Sequence, residues 1–305
     1  MKTIFLSILV AAVFMISVPS QSGPPVRVML LDGQSGGPYH AWQKTTPALK
    51  TMLEETGLFQ VEVVTSPPAG GDFSNFRPEF NRYQVIVLNY DGPDNQWTEE
   101  TRSGFERYML NGGGLVVVHA ADNAFPGWQA YNLMIGIGGW RNRDEKAGPL
   151  WYYKDGKLVS DLSPGRAGSH GPPTPYQVVI QNSAHPITNG LPKTWMHATD
   201  ELYNSLRGPG KEMEVLATAY SNPANKGTGR DEPMLLTLKY GKGRIFHTIM
   251  GHDVAAMSCA GFVTTYQRGT EWAATGKVTQ KVPADFPTAD RTSVRSKYSA
   301  NAPAN

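Results

Sequence analysis

Four of the seven histidines stand beside Gly, Asp, Asn or Pro where an apolar run ends: His40 in GQSGGPYHAW, His119 in GGGLVVVHAADN, His185 in SAHPITNGLP and His252 in GRIFHTIMGHD. Imidazole titrates near neutral pH, so it can give or take a proton, and its neutral ring is a metal ligand. A residue just past a buried strand is delivered to the carboxyl edge of a sheet, where open α/β folds gather ligands. These positions point to one polar site. His170 in RAGSHGPP, His197 in TWMHATDELY and His247 in RIFHTIM read as hydrogen-bonded structural residues.

His119 is the strongest candidate, because its run is wholly apolar and the AADN that follows is small and polar. His252 lies in the turn MGHD, where Asp253 beside it could orient the ring. Asp200 and Glu201 in HATDELYN are adjacent carboxylates, and neighbours in a regular element point different ways, so one of them enters the site. Glu201 pointing inward would serve as general base or metal ligand; Asp200 reads equally well as a helix cap. The expected catalytic set is therefore His119, His252 and Glu201. His40 and Trp42, at the mouth of the first strand, suit a sugar ring, with Asp32 and Gln34 bonding its hydroxyls. Asp91 in YDGPDNQW, Asp122, Asp200 and Asp253 join them as substrate-binding groups. His185, ahead of Pro186, reads as a loop-fixing residue, and Cys259 as a small buried one. Among Trp128, Trp140, Trp151, Tyr152 and Tyr153 at least half must be packing; the others could line a carbohydrate cleft.

No HExxH and no paired CxxC occurs, so no metal ligand is assigned and no cofactor is named. Zinc held by residues from distant loops is the lesser reading.

The elements that must position these groups are legible in the apolar pattern. Residues 26–31 (VRVMLL) form a buried strand, 45–56 a helix capped by Thr45 or Thr46 with Pro47 in its first turn, and 59–64 a second strand. The rhythm repeats with a strand at 84–89, a helix at 98–110 whose Glu99 and Glu100 complement the helix dipole, and a buried strand at 115–118. Strands follow at 176–180, 214–219, 234–240 and 244–249, with a closing helix at 262–274. Alternating strands and amphipathic helices predict a parallel sheet covered on both faces. Residues 140–175 break the rhythm around a hairpin turning at Asp155-Gly156, and are expected as an insertion over the ligand edge. Residues 279–305 form a polar, Pro-rich tail that either wraps the surface or is disordered.

With 305 residues, 40% of them apolar and 10% aromatic, the chain can bury a sizeable core. Residues 1–20, with Lys2 and an apolar run from Ile4 to Val18, read as a secretory signal cleaved near Gln21; the run is short of the about 20 residues a comfortable span needs. Loss of Lys2 takes the formal charge from +2 to +1, and no basic run resembles a nucleic-acid arm. A single cysteine excludes an internal disulfide. The expected setting is periplasmic or secreted, with a small carbohydrate as partner, no nucleic acid, and no membrane after signal removal.

From 26 to 276 the ordered segments LDGQSGGPYHAWQKTTPAL, YDGPDNQW, GGGLVVVHAADNAF, AHPITNGLP, TDELYNSL, PMLLTLKYGKGRIFHTIMGHD and RGTEWAATG resemble the ThuA-like family, named for trehalose utilisation. The resemblance implies one flavodoxin-like three-layer α/β sandwich with a mostly parallel central sheet, as in class I glutamine amidotransferases, and a carbohydrate context. It does not carry over glutaminase chemistry. That chemistry needs a thiolate on a strained turn after a strand, and the corresponding place holds His119. GxSxG and a phosphate-binding glycine loop are absent too, which removes serine-hydrolase and nucleotide readings. Two functions stay open: an enzyme acting on a sugar or keto-sugar glycoside by histidine and carboxylate acid–base chemistry, and a non-catalytic carbohydrate-binding or accessory module. Convergence of two titratable groups within hydrogen-bond reach favours the first; an aromatic platform without them favours the second.

Overall fold

The apolar runs become strands flanked by helices in this computed structural model, which describes residues 23–300; the expected signal segment lies outside the described residues. The strands are β1 (Val26–Asp32), β2 (Phe59–Thr65), β3 (Val85–Leu88), β4 (Gly114–Val118), β5 (Leu150–Lys154), β6 (Lys157–Asp161), β7 (Thr174–Ile180), β8 (Thr194–Asp200), β9 (Glu214–Tyr220), β10 (Asp231–Tyr240) and β11 (Gly243–Thr248). The helices that position the site are α1 (Trp42–Glu54), α2 (Glu99–Leu110), α3 (Gln129–Ile135), α4 (Val254–Met257) and α5 (Ala260–Thr275).

The sheet runs β2-β1-β3-β4-β11-β10-β9-β7-β8. It is parallel from β2 to β11 and antiparallel from β11 to β8, so the expected mostly parallel sheet holds for only one half. The tight turn at Gly241-Lys242 sends β11 back along β10, which makes that pairing antiparallel. The β5–β6 hairpin hangs from β10 by the pairing of Tyr153 with Asp231. Every residue of β3 and β4 is buried, which is why both are apolar throughout. Neighbours on β11 face opposite ways: Phe246 lies against Gly269 of α5, where a Cβ would collide with the ring, and His247 Nδ1 bonds the Ile135 carbonyl of α3 at 2.9 Å. Both faces are therefore covered. Among the described residues no helix is long and apolar enough to cross a membrane.

Three local expectations fail for physical reasons. Helix α1 starts at Trp42 behind Ala41, which offers no side-chain cap. Thr45 and Thr46 lie buried inside the helix, where both hydroxyls accept from Asn89 Nδ2 at 2.9 Å, and Pro47 sits past the first turn. A tertiary bond thus decides the role that capping propensity would have given these threonines. Asp200 caps no helix; it ends β8, a strand absent from the expected set. Residues 279–298 pack along that edge. Met196 donates its N–H to Thr288 at 2.8 Å, Ala260 donates to Ser293 at 2.8 Å, and Phe286 packs edge-on against Trp195. An edge strand so covered offers no free ladder.

Candidate active site

The loops that leave the carboxyl ends of β1, β4, β8 and β11 meet in one place. Strand β4 pairs in parallel with β11, with Val118 opposite Thr248, so His119 and the turn carrying His252 emerge side by side. His119 takes φ 45°, a left-handed conformation that a non-glycine residue holds only where its surroundings enforce it. Its ring is 2% exposed and Nδ1 lies 2.7 Å from the Ile249 carbonyl. A carbonyl only accepts, so Nδ1 carries the hydrogen and Nε2 keeps its lone pair. That Nε2 is buried and has no hydrogen-bond partner among the described residues. His40 repeats the arrangement: Nδ1 donates to the Ser35 carbonyl at 3.0 Å, and Nε2 accepts from the Tyr203 hydroxyl at 3.1 Å. His252 Nδ1 lies 3.1 Å from the Glu201 carboxylate, whose other oxygen is 3.7 Å from His170 Nδ1.

The three histidine rings are mutual neighbours, with centroids 4.9 to 5.5 Å apart and edge-to-face packing. Burial pushes His119 down to about 3 and His40 down to about 4, and the neighbouring imidazoles act in the same direction, so both rings are neutral near pH 7. Burial also works against a charge on His252, yet the Glu201 carboxylate outweighs it and raises the pKa. For Glu201 burial opposes ionisation and His252 outweighs it, which lowers the pKa. One ligand atom from each of His40, His119, Glu201 and His252 lies within 4.8 Å of the others.

His40 and Glu201 of this cluster line a cavity of about 670 Å³ with Gly36, Asn123, Trp140, Arg141 and Tyr203, a size that suits a small polar molecule, and His119 and His252 adjoin them without lining it. Trp140, Arg141 and Asn142 take φ 50°, 46° and 62°, an unusual left-handed run of non-glycine residues. It persists because Arg143, 4% exposed, fastens it from below, donating to the carbonyls of Asn123, Gly139 and Ala124 at 2.7 to 2.8 Å. Trp140 then lies 4.3 Å from the Tyr203 ring, and Arg141 Nε bonds Asp91 at 2.6 Å. A second cleft of about 920 Å³ shares Gly37, Asp91 and Arg141 with the cavity and holds Gln34 and Trp42.

The structure brings His40, His119, His252 and Glu201 together, with Asp91 on the wall. Asp200 sits behind them, fully buried, its Nε2 partner His197 at 2.9 Å. Asp32 and Asp122 are 1% and 0% exposed and neither lines the cavity: the Asp32 carboxyl lies beside Thr46 and Thr65, and Asp122 lies 3.7 Å from His247. Asp253 turns outward and accepts the Ala256 N–H at 2.8 Å, capping α4 instead of orienting His252. Gln34 and Trp42 serve the second cleft, not the histidine cavity; Gln34 is bonded to Gln96 and the Pro67 carbonyl. Of the aromatic candidates only Trp140 lines the cavity. Trp128 is core, Trp151 bonds the Gly208 carbonyl and Tyr152 lies under Arg230. His185 packs on Trp272, away from the site.

Sequence reasoning missed Tyr203, Arg141, Asn123 and the cavity position of His170. Tyr203 carried a usable signal, being two positions past Glu201 in a segment that leaves a strand. Arg141 carried none, since only the left-handed turn aims it inward.

Comparison with known proteins gives this geometry a family. The ThuA family profile, described as trehalose utilisation, matches residues 27–273. A ThuA-like protein from Parabacteroides merdae is 48% identical, over 90% of this chain and 99% of that one, with a TM-score of 0.87. A ThuA-like protein from Bacteroides uniformis, 21% identical over 86% of this chain and 96% of that one, has a TM-score of 0.55 and shares the fold. No curated protein matches the chain. With its profile spanning nearly the whole described chain, the protein belongs to the ThuA family, trehalose utilisation.

Proposed function

We propose that the protein is a carbohydrate-processing enzyme that takes a sugar or keto-sugar glycoside into the cavity between His40 and Trp140. The observation that carries this reading is the convergence of His40, His119, His252 and Glu201 in one cluster, of which His40 and Glu201 line the cavity, with His252 and Glu201 3.1 Å apart. Groups able to hold and move protons at that spacing suit catalysis better than simple binding. Trp140 and Tyr203 offer apolar faces to a sugar ring, Asn123 and the Asp91–Arg141 pair offer bonds to hydroxyls, and the family's trehalose context supports the substrate class. Glutaminase activity has no support, because Cys259 is buried at the start of α5 and not in the cavity. The order β2-β1-β3-β4-β11, covered on both faces, supports a flavodoxin-like sandwich for the parallel half, with 140–175 as the insertion at its ligand edge. The leader-like residues 1–20 support a periplasmic site of action, to be checked by sequencing the mature amino terminus.

The test incubates the chain with a panel of disaccharides and their 3-keto forms and follows products by mass spectrometry. New products from one substrate class are expected. Binding without any product, seen by calorimetry across the panel, would instead make the protein a carbohydrate-binding module.

A further inference from the structure

We infer that His40, His119, His252 and Glu201 bind one divalent first-row transition-metal ion, with zinc the closest match to the donor set. The inference deepens the proposed function by naming what the polar cluster beside that cavity holds, and it rests on that reading only for the metal's use.

The geometry is that of a ligand set waiting for its centre. Metal-binding histidines characteristically donate one ring nitrogen to a carbonyl or carboxylate, which fixes the tautomer and aims the other lone pair at the metal. His40 and His119 do this through Ser35 and Ile249, and both Nε2 atoms face the cluster. A buried polar atom is normally satisfied, yet His119 Nε2 has no partner among the described residues. His252 Nδ1 is also without a well-formed hydrogen bond although the Glu201 carboxylate is 3.1 Å away, as expected of two ligands that face a common point and not each other. Ligands about 2.0–2.1 Å from a tetrahedral ion are roughly 3.4 Å apart, so the spread of up to 4.8 Å closes by small side-chain rotations.

Three imidazoles and one carboxylate favour zinc or a neighbouring transition metal over magnesium or calcium, which prefer oxygen. The Tyr203 hydroxyl must release His40 Nε2 for the ion to bind, and Asn123, whose Oδ1 is buried and otherwise unpartnered, stands beside it as the alternative acceptor. No short motif betrays the site because its ligands come from four separate segments. A bound ion there would polarise a sugar carbonyl or hydroxyl oxygen entering from the cavity.

The test strips the purified chain with a chelator and titrates it with zinc chloride by calorimetry, and with cobalt(II) by visible absorption. One ion per chain is expected, with an intense cobalt spectrum of low coordination number. His119→Asn and Glu201→Gln should each weaken zinc by more than the roughly 10- to 100-fold that loss of an outer partner costs. His185→Gln, remote from the cavity, should bind as the parent does. Failure of the stripped parent chain to take up one equivalent, a weak six-coordinate cobalt spectrum, or undiminished binding by a folded His119→Asn/Glu201→Gln double variant would overturn the site. Stoichiometric metal with no sugar converted would leave it standing and remove the enzymatic reading; conversion of sugar by a chain that takes up no metal would do the reverse.

Discussion

Asp200 holds His252 by its backbone and not by its ring. Oδ1 accepts the His252 N–H at 3.1 Å and the Glu201 N–H at 2.8 Å, while Oδ2 accepts the Gly251 N–H at 2.8 Å and meets His197 Nε2 at 2.9 Å. One buried carboxylate thus ties the end of β8 to the turn after β11, although three strands stand between them in the sheet. Glu201 and His252 stand side by side because Asp200 grips both main chains. Asp200→Asn keeps the shape but gives up the charge and one acceptor. It is expected to destabilise the fold by about 3–5 kcal/mol, as breaking a buried pair does. Turnover of the sugar substrate should fall about 100-fold through misplacement of the ligand loops. Urea unfolding and kinetics on the same preparation decide it. Undiminished turnover in the folded variant would show that the loops hold themselves.

The parts of this site that were legible are those announced by strand composition. GLVVV and RIFHTIM are apolar enough to fix β4 and β11, and so to place His119 and His252 at one edge. Thr98 before an acidic turn likewise marks α2, and its hydroxyl does accept the Thr101 N–H. Strand β8 was opaque because TWMHATD hides a buried His197 among its apolar positions and borrows its edge cover from residue 288, far along the chain. Asp32 and Asp122 looked available because both follow strands. One carboxyl lies buried beside Thr46 and Thr65 and the other within the tight turn His119–Asn123, contacts that composition does not encode. The left-handed run at Trp140 is invisible for the same reason, since only the buried Arg143 enforces it.

The His197–Asp200 pair makes stability depend on pH in a stated direction. Burial alone would push His197 down, but Cys259 and Asp200 outweigh it and raise the pKa to about 9. A histidine whose folded pKa lies above its unfolded value stabilises fully below about 6.5, and the contribution is lost as pH rises through the folded value. Melting temperature should therefore decline between about pH 6.5 and 9. Asp200, whose pKa is lowered because His197 outweighs burial, contributes above the usual carboxylate value and loses that contribution in acid. His197→Gln should flatten the alkaline limb. A parent protein whose melting temperature is level across this range would refute the assignment of a charged His197.

Arg143 predicts a link between a buried cation and the cavity wall. Its guanidinium satisfies three carbonyls that flank the left-handed turn and also contacts Asn132 Oδ1 at 3.1 Å. Arg143→Met keeps much of the volume and leaves those carbonyls unpaired, at a cost of at least about 3 kcal/mol. The strained run at Trp140 should relax first. Limited proteolysis would then cut near residues 140–143 under conditions where the parent resists. Equal loss of protection everywhere would mean that Arg143 supports the fold at large and not this turn.

Two adjoining clefts predict how substrate length is read. The histidine cavity and the Trp42 cleft share Gly37, Asp91 and Arg141, so a disaccharide with one ring at His40 would place the other toward Trp42 and Gln34. Trp42 is half-buried and free to offer its face, whereas Trp140 borders the reacting ring. Stacking of this kind is worth about 1 kcal/mol, or roughly a fivefold change in binding. Trp42→Ala should therefore raise KM for a disaccharide about fivefold with kcat little changed, and leave a monosaccharide analogue unaffected. Trp140→Ala should weaken both and lower kcat, because it loosens the ring that reacts. If the two substitutions gave the same pattern on both substrates, the second cleft would have no part in recognising the sugar, and the shared Asp91–Arg141 pair would mark its boundary and not its passage.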